Sequence, residues 1–252
     1  MLIYFKSSIK LVSGILFLGI LFAISTFWYF SSDLPDYKIL ANYKPPISSR
    51  VHSGEGKLIA EYALQKRLFI PYESIPKKVI FSFVSSEDKN FFSHPGVDAK
   101  GITRAIIKNV KNIFSEKRLE GASTITQQVA KNFLLTNEVS IKRKIKEAIL
   151  AFRIERAYSK ERIMELYLNQ IYLGEGTYGI AAASLEYFDK AVNELNYEEA
   201  ALLAALPRAP SKYNPYKSIK RAKIRRDIVL KNLYYNSYIN QEEYKNLKKK
   251  KL

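Results

Sequence analysis

The chain has 252 residues, with 41 Lys and Arg against 24 Asp and Glu, a formal net charge of +17, and no cysteine. That length holds one sizeable domain with appendages, and a hydrophobic share of 47% excludes global disorder. Without cysteine there is no disulfide framework and no thiolate nucleophile or metal site, and the two histidines, His52 and His94, argue against a His-based zinc centre.

So basic a chain is drawn to anionic lipid, to pyrophosphate and to nucleic acid, and charge alone does not choose among them. Residues 1–10 carry Lys6 and Lys10 and read as a short cytoplasmic N-terminus. From Leu11 to Phe30 there is no charged residue, and at about 1.5 Å rise per residue this run matches the hydrocarbon layer. Asp33 and Asp36 follow it, so the positive-inside rule puts the remaining chain outside the cytoplasmic membrane. Trp28 and Tyr29 stand where interfacial aromatics belong. The expected anchor covers 11–31, followed by a Pro-containing linker over 32–49.

Residues 50–252 then form the exported domain. Arg50 to Ile70 alternates apolar and polar residues around Gly54-Glu55-Gly56 and predicts a β-hairpin. Everything after Pro76 has helical periodicity, so the fold class is mainly α with a small β element. The basic stretch Ile107–Glu120 is expected to be a mobile loop over a groove. The final helices, Ser218–Tyr235 and Gln241 onward, show no site chemistry, and Lys248–Lys251 reads as a solvated end.

One carboxylate is out of place. The helix opened by Pro76 has the apolar stripe Val79, Ile80, Phe83 and Val84, and one turn further the stripe reaches Glu87, Asp88 and Phe91. A carboxylate on an apolar stripe needs partners or a raised pKa, and the second case suits general acid/base work. A helix-terminal Glu turned to solvent is the plainer alternative. Next, Ser123 is expected to cap a helix running through Leu135, with Ile125, Val129 and Phe133 inward. Its other face carries Thr124, Gln127, Gln128 and Lys131, a surface of amides and one cation suited to a sugar phosphate. A third helix, Ser140–Ala157, is expected to bury Ile141, Ile145, Ala148 and Phe152, with Arg143, Lys144 and Glu147 clustered within a turn.

Together these segments resemble the family 51 glycosyltransferase domain of class A penicillin-binding proteins and of the monofunctional transglycosylases, with wording most like the 1A-type members. Glu87-Asp88-Lys89-Asn90-Phe91-Phe92-Ser93-His94-Pro95-Gly96 matches E-D-x-x-F-x-x-H-x-G. Gly121 to Gln128 followed by Lys131-Asn132 matches G-[GA]-S-T-I-T-Q-Q with K-N. Arg143 to Glu147 matches R-K-x-x-E, and Ile163 to Asn169 with Gly174 to Gly179 matches I-L-E-x-Y-L-N and its glycine-rich end. Glu199 to Pro207, with Pro210, Tyr213 and Pro215, matches the last motif. The motif core covers 76–215.

The resemblance implies a lysozyme-like helical domain with a membrane-facing lobe, and an inverting transfer that polymerises lipid II into β-1,4-linked glycan strands with release of undecaprenyl pyrophosphate. It implies Glu87 as general base and Glu147 as the second catalytic carboxylate. Asp88, Ser123, Thr126, Gln127, Gln128, Lys131, Arg143 and Lys144 would bind substrate. No cofactor is required, although a divalent cation (Mg or Mn) can assist, and no metal site is expected. The partners implied are lipid II, the growing strand, the cytoplasmic membrane and other cell-wall synthesis proteins, and not nucleic acid. In this family Arg is frequent at the position of Asn90, a basic residue at Val139 and Gly at Ala205. No K-T-G follows, so no transpeptidase domain and no acylation by penicillin are expected. The alternatives are a lytic enzyme on the same groove and an inactive membrane-anchored remnant or scaffold.

Overall fold

The computed structural model describes residues 2–43, 49–55, 58–62, 66–113, 121–136, 138 and 140–252. Residues 114–120 of the expected loop, and Val139, lie outside the described residues. The chain opens with α1 (Leu2–Ser31), one helix of 30 residues that contains the whole expected anchor. Among the described residues no helix is long and apolar enough to cross a membrane. A one-turn 3-10 helix at Tyr37–Leu40, capped by Asp36, leads away from α1.

The expected hairpin is present as β1 (Ser49–His52) antiparallel to β2 (Leu58–Tyr62). It ends earlier than the alternation suggests. The next strand, β3 (Lys66–Arg67), pairs in parallel with a later strand in a separate sheet. Beyond Pro76 come α2 (Lys77–Glu87), α3 (Ala99–Ile113), α4 (Ile125–Leu134), α5 (Ile141–Ala157) and α6 (Lys160–Gln170). Short strands β4 (Tyr172–Gly174) and β5 (Thr177–Tyr178) complete the sheet in the order β3-β5-β4. Then follow α7 (Ile180–Phe188), α8 (Tyr197–Leu203), α9 (Pro210–Tyr213), α10 (Ile219–Tyr235) and α11 (Gln241–Lys249).

Two helical packings are joined at the end of α2, where Glu87 and Asp88 hydrogen-bond α4. On one side α2 packs with α8 and α10, and on the other α4 packs with α5 and α6. The predicted stripe of α2 is the contact: Val79, Ile80, Phe83 and Val84 are all buried. On α6 every residue from Ile163 to Asn169 is buried, because neighbours cover it all round. Its polar members tie down the incoming chain: Asn169 exchanges two hydrogen bonds of 2.8 Å with the Ile70 backbone, and Glu165 accepts from the Tyr72 N–H at 2.8 Å.

Three expectations change. Residues Ile107–Ile113 are helix, since α3 runs on to Ile113. The cap of α4 is Thr124 rather than Ser123: its hydroxyl accepts from the Gln127 N–H, and the Gln127 side chain accepts from the Thr124 N–H. The third change is the inward face of α5, which is Glu147, Leu150, Ala151 and Ile154. Ile141 and Phe152, expected inside, are exposed. This helix carries apolar residues on both sides, so periodicity alone could not say which side the core takes.

Gly96 shows why the loop after α2 must be glycine at that point. Its φ is +95°, and a Cβ would meet the Ala151 carbonyl oxygen of α5 at 2.6 Å. Gly96→Ala is therefore expected to lower stability by about 2–4 kcal/mol, from backbone strain plus overpacking. Thermal unfolding of the variant checks this, and an unchanged Tm would mean the loop moves freely off α5.

Candidate active site

Helix α2 delivers Glu87 as its last residue, and Asp88 turns the chain out of the helix with φ −157° and ψ 77°. The two adjacent carboxylates then take different surroundings. Asp88 is buried and works as a clamp: Oδ2 lies 2.9 Å from His94 Nε2 and accepts the Ile125 N–H at 3.0 Å. Because His94 Nδ1 accepts the Gly96 N–H at 3.1 Å, the ring proton sits on Nε2 and points at Asp88. One carboxylate thus joins the loop after α2 to the N-terminus of α4, where the exposed N–H groups favour negative charge. Thr124 closes the same joint by donating to the Gly96 carbonyl at 2.6 Å.

Glu87 opens into a groove of about 780 Å³, and Gln128 Nε2 donates to its Oε2 at 3.0 Å. Burial raises the Glu87 pKa from its ordinary value; the Gln128 hydrogen bond, then Arg225 and Arg208, pull the other way. Behind it stands Tyr167, whose hydroxyl is buried without a partner among the described residues. Its pKa is pushed well up by burial and by the charges of Glu87 and Asp88.

The rest of the expected site reaches the groove through Ser123, which lines it. Lys144 Nζ donates to Ser123 Oγ at 2.7 Å and to Glu147 Oε2 at 2.5 Å. Arg143 bonds the other Glu147 oxygen and also the Glu138 carbonyl. Glu147 is only 1% exposed, and Arg143 and Lys144 are its two ion-pair partners.

Of the expected residues, then, Glu87, Asp88, Ser123 and Gln128 line one groove; Lys144 meets it through Ser123 and holds Glu147, while Arg143, on the other Glu147 oxygen, lines a separate pocket with Asp33, Leu134 and Lys146. Thr126 lies elsewhere: it is fully buried and donates to Glu155 Oε1 at 2.5 Å. Gln127 is taken up by the α4 cap, and Lys131, one turn along that helix, does not line the groove. Asn90 does not stand open for a missing cation, since its amide donates to Asp98 at 2.9 Å beside the start of α3. Among the described residues no three His, Asp or Glu side chains gather as a metal site would need.

Sequence reading missed Arg208, Arg225 and Tyr167. The final helices do carry site chemistry, because α10 forms one wall of the groove through Arg225, Ile228, Asn232, Tyr235 and Asn236. The signal existed: Arg225 sits within the buried series Ala222, Arg226, Val229 and Leu230, a charge on an apolar stripe just as Glu87 is.

A family model described as Transglycosylase matches residues 55–234. The chain is 50% identical to penicillin-binding protein 1A of Rickettsia felis over 94% of its own length and 30% of that protein. It is 48% identical to penicillin-binding protein 1A of Aquifex aeolicus over 93% of its length and 32% of that protein. A crystal structure of penicillin-binding protein 1A from Haemophilus influenzae aligns with 83% of the chain at 27% identity and a TM-score of 0.48, covering 21% of that chain. The chain thus spans about a third of the curated relatives it matches. It belongs to the transglycosylase family, the peptidoglycan glycosyltransferases.

Proposed function

We propose that the chain polymerises lipid II into β-1,4-linked glycan at the outer face of the cytoplasmic membrane, with Glu87 as the base. The observation that carries this is the setting of Glu87: it ends an apolar stripe on a groove floor, its pKa is raised by burial, and Gln128 fixes its orientation. A carboxylate poised nearer neutral pH is the better base for a sugar hydroxyl. Glu87 takes the proton of the acceptor GlcNAc 4-hydroxyl as that oxygen attacks C1 of the donor's terminal MurNAc. The C1–oxygen bond to phosphate breaks on the opposite face, the centre inverts, and undecaprenyl pyrophosphate departs with the bonding electrons. Arg143 and Lys144 would neutralise it, and Glu147 would hold both cations in place. Ser123 and Gln128 would orient the donor sugar.

The membrane part of the reading rests on exposed apolar surface. Phe17, Leu18, Ile20, Phe22 and Ile24 of α1 are exposed along an uncharged run, as a bilayer-seated helix requires. On α3, Ile106, Ile107 and Val110 are exposed beside Arg104 and Lys108, a composition suited to anionic lipid. Lys146 bonds Asp33 at 2.7 Å and Arg153 bonds Ser31, so the foot of α1 is tied to α5. This would keep the groove near the lipid tails that donor and product both carry. Deleting residues 1–32 is expected to leave a folded domain that binds anionic vesicles more weakly and polymerises more slowly at low lipid II. Equal vesicle binding by both forms would remove α1 as an anchor.

Incubation of the purified chain with labelled lipid II tests the function. Lengthening strands, with one undecaprenyl pyrophosphate released per disaccharide added, are expected. Shortening of preformed glycan with lipid II untouched would instead mark a lytic enzyme.

A further inference from the structure

Residues 33–43, expected as linker, are held against the domain along their length. Leu40 is fully buried in the core, and Leu34, Tyr37 and Tyr43 pack against it. Asp36 caps the one-turn helix by accepting the Lys38 N–H at 2.9 Å. Carbonyls that a flexible linker leaves to water are taken by side chains of the domain. The Tyr158 hydroxyl, at the end of α5, lies 3.1 Å from the Tyr37 carbonyl oxygen and 3.3 Å from that of Lys38. On α6, Arg162 Nη2 donates to the Leu40 carbonyl at 2.9 Å and lies 3.3 Å from that of Ala41. Tyr43 closes the far end: its hydroxyl donates to Gln170 Oε1 at 3.1 Å, and its ring meets Phe133 edge-on at 4.6 Å.

Both ends of this run are therefore fixed to one body. Lys146 and Arg153 tie Asp33 and Ser31 to α5, the helix whose start carries Arg143, Lys144 and Glu147. Pro35 fixes its own φ, so few free rotations remain between the uncharged run of α1 and those cations. A free chain of the same length would let the domain sample heights over many ångströms. A substrate whose pyrophosphate is anchored at headgroup level favours one height, because a reacting group held off position loses rate even when its chemistry is intact.

We propose that residues 33–43 are a rigid bracket that sets the height of the Glu87 groove above the bilayer, with Tyr158 and Arg162 as positioning residues for the membrane-bound reaction. The inference rests on the membrane reading of α1 and the lipid II reading of the groove. Neither Tyr158 nor Arg162 lines the groove, so their effect is confined to substrate that a membrane presents.

Two measurements on the full chain in vesicles test it. The chain has no cysteine, so Lys245→Cys, at an exposed position of α11, takes a single dye. Time-resolved energy transfer from that dye to a headgroup-labelled lipid then reads the distribution of heights. One narrow distribution is expected, broadening when Gly-Ser-Gly-Ser is inserted between Ser32 and Asp33. With lipid II in the same vesicles, the insertion is expected to lower kcat/KM about tenfold, and Tyr158→Phe/Arg162→Gln by a smaller factor. With a water-soluble, short-chain lipid II analogue all three proteins should run at one rate. Arg162→Lys, which keeps a donor for the bracket carbonyls, should recover part of the vesicle loss. Arg162 also pairs with Glu165, so Tyr158→Phe alone, which loses one hydroxyl, repeats the test with that pair intact. A broad distribution in the wild type, an insertion that leaves the vesicle rate unchanged, or equal losses on both substrates overturns the bracket. A narrow distribution in a wild type that makes no glycan from either substrate supports the bracket and removes the polymerase reading. A wild type that does not bind vesicles at all removes the bracket together with the membrane reading of α1.

Discussion

Glu87→Gln is expected to cut glycan synthesis by about a hundred- to ten-thousandfold and, in the same protein, to raise Tm. The loss follows from the role: an amide cannot take the acceptor proton, and a positioned general base contributes about that factor. The gain follows from linkage. Burial raises the folded-state pKa of Glu87 above its unfolded value, so the folded protein binds the proton more tightly. Stability from this group is fully present below the unfolded pKa and is lost as pH rises through the folded one. At neutral pH the ionised carboxylate is therefore a net cost, which the neutral amide removes while keeping the shape. Activity runs the other way. It requires the ionised form, so the acid limb of kcat/KM should lie above the ordinary carboxylate range. It should rise further in Gln128→Ala, where the hydrogen bond that favours the charge is gone. A variant that loses both activity and stability would make Glu87 a structural ion rather than a poised base.

Asp88→Ala is expected to act in the opposite sense on stability, lowering it by about 2–4 kcal/mol, because it strands the His94 ring and the Ile125 N–H in a buried place. Activity should fall too, since Gln128 lies less than one turn beyond Ile125 and follows any shift in the start of α4. The family resemblance assigns Asp88 to substrate binding, whereas its hydrogen bonds point to holding two pieces of the groove together. The variants distinguish these roles. A binding residue gives Asp88→Asn a higher KM with an unchanged Tm. A clamp gives a lower Tm with kcat falling along with it, measured by thermal unfolding and initial rates side by side.

Much of the site was legible because its segments carry local signals. The stripe that ends on Glu87, the cap residues near Ser123 and the cluster of Arg143, Lys144 and Glu147 are all readable within one or two helical turns. What was not legible depends on which partner a face meets. Apolar residues occur on two sides of α5, and only the packing of α4 and α6 selects Leu150, Ala151 and Ile154 over Ile141 and Phe152. Gln127 looks available on a helical wheel and the resemblance adds Thr126, yet both are spent on neighbours, the α4 cap and Glu155, that neither signal can show. Arg225 is distant in sequence from every motif and becomes part of the groove only when α10 docks on α2.

The central claim is that this groove joins lipid-linked disaccharides through Glu87. It is tested most directly by incubating equal amounts of wild type and Glu87→Gln with labelled lipid II and resolving the products by strand length. Long strands from the wild type, and unreacted lipid II from a folded Glu87→Gln of equal or higher Tm, are the predicted result. Strands of equal length from both proteins would contradict it.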